Sequence, residues 1–228
     1  MCGRYTLDIS EDKLTTYLKT YYEIEQEIDH RFNLPRYNIA PGQRIITILK
    51  DGDKFRSGPL KWGFVPFWAK DEKIGYKMIN AKSETLASKP SFKHAFKNKR
   101  CIILADSFYE WKKDKNGKTP MRISLKNRKL FSFAGLWSSY QKEDGTNLYT
   151  CTIITTEPNE FMESIHNRMP VILTKEQEKI WLDPYINDEE KLNTVLRPYN
   201  SNEMTAYPVS TIVNNARNET VECIKPIN

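Results

Sequence analysis

Histidine, glycine and cysteine are scarce in this chain, and it contains no long apolar run. Its 228 residues include only 3 histidines, 9 glycines and 4 cysteines. The cysteines are widely spaced and form no CxxC pair, at positions Cys2, Cys101, Cys151 and Cys223. This spacing predicts reduced thiols rather than a disulfide framework or a zinc site. No stretch approaches the ~20 apolar residues of a membrane span, so we expect no membrane partner; no motif indicates a metal or cofactor.

The chain also lacks any repeat, low-complexity stretch or linker that would divide it. We therefore expect a single domain over residues 1–228, large enough to bury roughly 70% of the unfolded surface. The N-terminus has no basic region followed by an apolar run, so it does not resemble a secretory signal. Together with the reduced cysteines, this predicts a cytoplasmic protein, which we expect to be a monomer.

Positive charge is in moderate excess. The 35 lysines and arginines outnumber the 29 aspartates and glutamates, and the formal net charge is +6. A basic surface favours an anionic partner such as nucleic acid, although a solvated lysine-rich surface has the same composition. No block of lysine and arginine is long enough to form a nucleic-acid-binding tail.

Predicted strands outnumber predicted helices. Runs rich in β-branched or aromatic residues predict strands at Arg44–Lys50, Leu60–Trp62, Arg100–Ala105, Met121–Leu125, Leu130–Leu136, Tyr149–Thr155 and Val221–Ile224. Helices are predicted after a Ser10 cap with Leu14, Tyr17, Leu18 and Tyr21 on one face, and at Asn159–His166, Lys175–Leu182 (cap Thr174) and Asp188–Leu196 (cap Asn187). Because strands and helices do not alternate, the sequence predicts an α+β fold: a mainly antiparallel, barrel-like β-sheet flanked by helices.

Cys2 offers unusual chemistry because it stands second in the chain, in Met1-Cys2-Gly3-Arg4. Removal of Met1 would leave a free α-amine and a thiol on the same residue. The amine condenses with an aldehyde to an imine, and the thiol then closes a thiazolidine ring. The ordinary pKa is about 7.7–8.0 for the amine and about 8.5 for the thiol, and a cation near the thiol would raise its thiolate fraction. The ordinary alternative is a frayed chain end.

Five further segments combine polar, aromatic and chain-breaking residues. They are Tyr37–Gly42 (YNIAPG), Trp62–Lys70 (WGFVPFWAK), Asn80–Thr85 (NAKSET), Phe108–Trp111 (FYEW) and Ile165–Pro170 (IHNRMP). The first lies in a proline-rich stretch and predicts a rigid loop with a polar tip. Each key side chain also has an ordinary interpretation: Asn80 as a backbone-bonding residue, Glu110 as a solvated strand end and His166 as a partner of a helix dipole.

The ordered set of motifs MCGR, YNIAPG, WGFVPFW, INAKSET, ADSFYEW and IHNRMP resembles the SOS-response-associated peptidase family, whose members process abasic sites in DNA. Each motif is short, but the set is specific and spans residues 1 to about 208. The resemblance implies covalent capture of an abasic site in single-stranded DNA, which shields it during the DNA damage response near the bacterial nucleoid. The open-chain abasic sugar is an aldehyde, the electrophile that an aminothiol traps.

The resemblance also implies roles for individual residues. By position, Cys2 is the nucleophile and Asn80 orients its amine, while Glu110 transfers protons during ring opening and imine formation and His166 is the partner base. The expected DNA-binding residues are Arg4, Arg36, Asn38, Pro41, Trp68, Lys70, Lys82 and Arg168. The cations would contact phosphates and Trp68 would stack on a base, whereas Trp62 has stacking and core packing as alternatives.

Two positions depart from the family pattern. Lys82 stands where many members have arginine, which retains the charge but loses bidentate phosphate geometry. Ser107 stands where glycine is frequent, so the local turn is expected to differ.

Three other functions remain alternatives. Cys2, His166 and Glu110 have the residue types of a thiol peptidase, including one that removes Met1 from its own chain. The chain could instead be a non-covalent single-strand-binding module. A β-elimination lyase is the third alternative, because an imine at the abasic carbon permits strand scission.

Overall fold

The computed structural model describes residues 2–25, 28, 32–115 and 117–227. Met1, whose removal the sequence predicts, lies outside this range. The strands are β1 (Tyr5–Leu7), β2 (Arg36–Ile39), β3 (Arg44–Asp51), β4 (Lys54–Trp62), β5 (Asn80–Lys82), β6 (Arg100–Ala105), β7 (Ser107–Asp114), β8 (Gly117–Leu125), β9 (Phe131–Gln141), β10 (Asn147–Thr156), β11 (Met169–Pro170), β12 (Ile172–Leu173) and β13 (Met204–Pro208). The α-helices are α1 (Glu11–Tyr22), α2 (Pro90–Asn98), α3 (Glu160–Glu163), α4 (Lys175–Leu182) and α5 (Glu189–Thr194). Within the described ranges, no helix is both long and apolar enough to span a membrane.

Five strands form a closed ring in the order β10–β4–β3–β6–β9, and β9 pairs with β10 to complete it. The pairs are antiparallel except for the parallel β10–β4 contact. Closure removes free edges from these strands, and β5 and β11 extend the sheet from β10. Helices α2 and α4 pack on β6 and β9. The predicted α+β fold with a mainly antiparallel, barrel-like sheet is confirmed.

In a second sheet, of order β13–β8–β7–β1–β2, the N-terminal strand β1 lies between β7 and the edge strand β2. Tyr5 in β1 pairs with Phe108 on one side and with Ile39 on the other. The Tyr5 ring lies 5.6 Å from the Trp62 ring and 5.9 Å from the Phe133 ring, both at edge-on angles. Aromatic packing therefore joins this sheet to the barrel and fixes the backbone that follows Cys2.

Most predicted elements occur close to their predicted places. Strand β6 has the predicted bounds, and Thr174 caps α4 through a reciprocal bond with Gln177. Helix α1 follows Ser10, although its buried face is Leu14, Leu18 and Tyr22 rather than one that includes Tyr21, which is 57% exposed. The interval of four residues from Leu14 to Leu18 leads on to Tyr22, so this face follows the helical period.

Several boundaries and elements were predicted wrongly. Residues Val221–Ile224 form a 3-10 helix instead of a strand, and Asp188 rather than Asn187 caps α5 by accepting from Glu190 N at 2.9 Å. Helix α3 is shorter than predicted, and α2 was not predicted. Strand β4 begins at Lys54, before the predicted start at Leu60, because the hairpin turn pairs Lys54 directly with Asp51.

The predicted loop at Tyr37–Gly42 is partly a strand. Its first residues belong to β2, which pairs only with β1 and therefore lies at the edge of the second sheet. The nearby prolines, Pro35 and Pro41, lie outside the paired residues. The prolines thus limit the length of β2 without preventing its pairing.

Gly63 redirects the chain at the end of β4. Its φ is 137°, and an added Cβ would lie 2.9 Å from the carbonyl oxygen of Gly75. Only glycine fits this backbone conformation and this close approach. The segment that follows reaches the surface, where Phe67 and Trp68 are 57% and 50% exposed.

Candidate active site

Cys2 and Glu110 form the buried centre of the candidate site. The backbone N–H of Tyr109 donates to the carbonyl of Arg4 at 2.9 Å, so the N-terminal segment runs beside β7. Cys2 is fully buried and Glu110 is 3% exposed. Burial raises the pKa of the Glu110 carboxyl to about 7. This carboxyl therefore exchanges its proton near neutral pH, which suits a general acid and base.

The Cys2 thiol has the opposite shift from the one that the sequence suggested. Burial raises its pKa, and the negative charge of nearby Glu110 raises it further. The expected cationic neighbour, Arg4, directs its guanidinium to Asn38 and to the carbonyl of Val213. The thiol is consequently protonated at neutral pH, and its proton has to be removed when sulfur reacts.

His166 faces Glu110 across the site. Its Nε2 atom lies 3.9 Å from Oε2 of Glu110. The backbone N–H of Arg168 points to His166 Nδ1 at 3.1 Å. Nδ1 also lies 3.2 Å from the Arg168 carbonyl oxygen, so it accepts from the backbone N–H in one tautomer of the neutral ring and donates to the carbonyl in the other. Burial lowers the pKa of the imidazole, which favours this neutral form.

Asn80 lies in β5, which pairs with the last residues of β10. Strand β11, which closely follows His166 in the chain, pairs with the same end of β10. Asn80 is paired with Ile153, and its Nδ2 lies 3.5 Å from the Ile153 carbonyl. Its Oδ1 is buried and has no hydrogen-bond partner among the described residues. A buried amide oxygen without a partner is costly, so it is a natural acceptor for a ligand or an amine.

Arg168 is bound by a carboxylate that the sequence did not pair with it. Its two terminal nitrogens donate to Oε1 and Oε2 of Glu84 at 2.6 and 3.0 Å, and one of them also donates to the Thr155 carbonyl at 2.7 Å. These bonds lower the pKa of Glu84. Lys82 is exposed nearby in the sequence. A phosphate that binds Arg168 would therefore compete with Glu84.

The predicted polar tip at Asn38 is buried instead of exposed. Asn38 accepts from Arg4 at 2.6 Å and donates to the Asn218 carbonyl at 2.8 Å. Its side chain is fully buried, because it fills the space between β2 and the segment after Val213. As the structure places them, Arg4 and Asn38 tie the N-terminal strand to the C-terminal segment.

Arg36 is likewise held inside the protein. Its Nε lies 3.1 Å from Oε2 of Glu219, and its Nη2 donates to Gln43 at 2.7 Å. The other oxygen of Glu219 accepts from the backbone of Asn38 at 2.8 Å. Pro41 is half-buried in the turn that follows β2.

Trp62 and Trp68, the two tryptophans of the WGFVPFWAK segment, differ in exposure. Trp68 is half exposed and Lys70, which follows it closely, is exposed. Trp62 is fully buried, and its Nε1 donates to the Ile79 carbonyl at 2.8 Å. Core packing, not base stacking, is therefore the correct interpretation of Trp62.

Sequence reasoning missed three residues that shape the site: Glu84, Trp111 and Glu219. The indole of Trp111 donates to Asn214 at 2.7 Å and lies 5.9 Å from the Arg4 guanidinium. Glu84 and Trp111 stand within quoted motifs, which was their only signal. Glu219 had none, because it acts on β2 from the other end of the chain. No group of three or more metal-ligating side chains occurs in the part of the chain that the structure describes.

The chain belongs to the SOS response associated peptidase (SRAP) family, whose model matches residues 1–216. It is 53% identical over 226 residues to Abasic site processing protein YoqW of Bacillus subtilis, and the alignment covers 99% of each chain. It is 32% identical to Abasic site processing protein HMCES of Rattus norvegicus, over 99% of this chain and 76% of that protein. A crystal structure of a protein from Bacteroides thetaiotaomicron superposes with a TM-score of 0.78 at 27% identity, covering 99% of this chain and 100% of that one. The family predicted from the motifs is confirmed.

Proposed function

We propose that this protein is a DNA-processing enzyme that captures abasic sites in single-stranded DNA. After removal of Met1, Cys2 forms a thiazolidine with the open-chain sugar and thereby shields the site. The observation that carries this proposal is the buried Cys2–Glu110 pair with His166 Nε2 at 3.9 Å from the carboxylate. The names of the relatives, abasic site processing proteins, support the same substrate.

The first step is attack of the Cys2 amine on the sugar aldehyde. Loss of water from the addition product gives an imine, and this step needs a proton on the leaving hydroxyl. Glu110 supplies it, since a carboxyl with a pKa of about 7 is partly protonated at neutral pH. The unpartnered Oδ1 of Asn80 accepts a hydrogen bond from the amine and holds it towards the sugar.

The second step is ring closure. The Cys2 sulfur adds to the imine carbon, and its proton passes to the imine nitrogen. Because the thiol has a raised pKa, it needs a base at that moment, and Glu110 is ionised after donating its proton. In the tautomer that carries its proton on Nε2, neutral His166 faces this carboxylate and stabilises its ionised form. Closure of the ring consumes the imine, which suppresses β-elimination.

DNA contact comes from the exposed part of the predicted set. Trp68 stacks on a base, while Lys70 and Lys82 contact phosphates without reading sequence. Arg168 contacts a phosphate after that phosphate has displaced the Glu84 carboxylate from the guanidinium. Arg4, Arg36, Asn38 and Pro41 act mainly by shaping the backbone around the site. We further propose one domain over residues 1–228 that acts as a cytoplasmic monomer.

The decisive experiment uses a single-stranded oligonucleotide with one abasic site, denatured after incubation without borohydride. We expect a stable DNA–protein adduct, peptide mapping that places the DNA on Cys2, and an intact mass that lacks Met1. Cys2→Ala abolishes the adduct, whereas Cys223→Ala, at another buried free cysteine, retains it. Cys2→Ser is expected to cut DNA more than it stays bound.

The alternatives give different results in the same assay. A thiol peptidase turns over peptide substrates and forms no adduct with the abasic strand. A non-covalent binding module loses all DNA on denaturation, with or without Cys2. Attachment of the DNA to any residue other than Cys2 overturns the proposal.

A further inference from the structure

A surface with exposed arginines lies beside the Arg36–Glu219 ion pair, where the C-terminal segment packs against β2. It surrounds a cavity of about 720 Å³ that we call the C-terminal groove, lined by Phe32, Asn33, Arg36, Gln43, Arg44, Pro59, Ala216, Arg217 and Glu219. Its volume is in the range of ordinary ligand sites, about 300–1,000 Å³. One wall extends past residue 216, where the match to the family model ends.

The groove is built by specific bonds. Glu219 accepts from the backbone N–H groups of Tyr37 and Asn38 with one oxygen, and from Arg36 Nε with the other. Gln43 accepts from the same guanidinium at 2.7 Å. These bonds fix the C-terminal wall against β2, so the groove is formed before any ligand arrives.

Among the lining residues that the structure describes, the charge that remains is positive. Arg36 and Glu219 neutralise each other across 3.1 Å. Arg44 and Arg217 are both exposed, and each presents a guanidinium to solvent. Two exposed arginines beside the partly exposed ring of Pro59 fit an anionic ligand such as the phosphates of a nucleic acid strand.

One wall of the groove follows, along the chain, the segment that the Arg4 side chain binds. Arg4, two residues after Cys2, donates to the carbonyls of Val213 and Asn214 at 2.6 and 3.4 Å. Ala216 and Arg217 follow directly and form the groove wall. The segment from Val213 to Arg217 therefore connects the residues bound by Arg4 to the wall of the groove.

We propose that the C-terminal groove binds the phosphate backbone of the single DNA strand that flanks the abasic site, through Arg44 and Arg217. This inference rests on the proposed function for the identity of the strand. Its contribution is independent of sequence, because phosphates carry no base identity.

The test compares two double variants that each remove two positive charges. Arg44→Gln/Arg217→Gln changes the groove. Lys54→Gln/Arg56→Gln changes the other end of the β3–β4 hairpin, with Lys54 paired to Asp51 and roughly 23 Å from Arg44 at the usual rise per residue. Non-covalent binding of a long undamaged single strand is measured by fluorescence anisotropy at several salt concentrations.

The groove variant is expected to lose about tenfold in affinity, with the slope of log K against log salt reduced by about 1.4 for two lost phosphate contacts. The control variant should lose less than twofold. Adduct formation with an abasic trinucleotide, which is too short to reach the groove, should proceed at the wild-type rate in both variants. Equal losses in the two variants, or a trinucleotide rate that falls with the groove variant, overturn the proposal.

Failure of the proposed function has a separate signature. In that case the wild-type protein forms no adduct with any abasic substrate, while the salt-dependent binding of undamaged strand still reports on the groove. If the wild-type protein forms the adduct, but the groove variant loses no more affinity for undamaged strand than the control variant, only the groove proposal is wrong.

Discussion

Arg168 and Glu84 form a two-pronged ion pair, with nitrogen–oxygen distances of 2.6 and 3.0 Å. A carboxylate in this position presents to the guanidinium the same two oxygen acceptors that a phosphate would. Glu84 is about half exposed, whereas the Arg168 side chain is 16% exposed. The carboxylate is therefore the more mobile partner, and under the proposed function a DNA phosphate that binds Arg168 has to displace it.

Glu84→Gln is accordingly expected to strengthen non-covalent binding of single-stranded DNA several-fold, because Arg168 loses its internal competitor. Glu222→Gln is the matched control, since Glu222 has the same charge and pairs with Lys225 on the surface. Fluorescence anisotropy at low salt measures both. Equal effects of the two substitutions would show that only net charge had changed.

The rate of adduct formation should follow a bell-shaped pH profile centred between about pH 7 and 8. Protonated Glu110, with a pKa of about 7, is lost as pH rises, while the neutral amine, with an ordinary pKa of about 7.7–8.0, is gained. Glu110→Gln should lower the rate and remove the fall on the alkaline side. Glu163→Gln, on the exposed end of α3, serves as control. A profile of unchanged shape in Glu110→Gln contradicts the acid role.

Glu110→Gln should also stabilise the fold at alkaline pH. The folded-state pKa of about 7 lies above the ordinary value of 4.5, so the buried carboxyl favours the folded state only while protonated. Its cost is absent below about pH 4.5, grows between pH 4.5 and 7, and is complete above pH 7. The expected gain is roughly 3 kcal/mol at pH 8 and near zero at pH 4. Denaturant unfolding at both values measures it, and an equal gain at both would contradict the prediction.

Trp68→Ala should weaken binding of single-stranded DNA by roughly 1–3 kcal/mol, the usual worth of one base stack. The free energy of unfolding should hardly change, because Trp68 is 50% exposed. Tyr185→Ala, at a ring that is 72% exposed, provides a control without loss of binding. Loss of stability equal to the loss of affinity would instead indicate a structural role for Trp68.

Gly135→Ala should destabilise the barrel by about 1–3 kcal/mol through overpacking. An added Cβ would lie 2.3 Å from Cδ1 of Ile103 and 2.9 Å from the carbonyl oxygen of Thr152. Gly58→Ala is the matched control within the same barrel, since nothing lies within 4 Å of its Cβ position. Thermal unfolding measures both variants, and Gly135→Ala is expected to have the lower melting temperature. Similar melting temperatures would show that the close contact at Gly135 does not destabilise the barrel.

The strands of the barrel were predictable because their apolar runs are short and rich in β-branched residues. The closure of the ring was less so, because the parallel pairing of β10 with β4 joins residues far apart in the chain. Helix α2 was missed although Phe92, Ala95 and Phe96 have helical spacing and Pro90 stands in its first turn, because the helix is only nine residues long. Local sequence patterns therefore predicted most of the strands and helices, whereas the arrangement of the strands depends on pairing between residues that are far apart in the chain.

The candidate site shows the same division. Cys2, Glu110 and His166 were identified through motifs, and the structure places the last two within 3.9 Å. The raised pKa of the Cys2 thiol was not predictable, because its burial comes from residues throughout the core. Nor did any local signal connect Arg36 with Glu219, which lies 183 positions along the chain.

The burial of Cys2 also affects its reactivity towards small molecules other than the proposed substrate. Peroxides and alkylating agents react with accessible thiolates, and this sulfur is neither accessible nor ionised. A reagent meets this thiol only when the surrounding residues move aside, and it then reacts only if a base removes the thiol proton. We therefore expect the Cys2 thiol of the folded protein to react more slowly with small electrophiles than an exposed cysteine would.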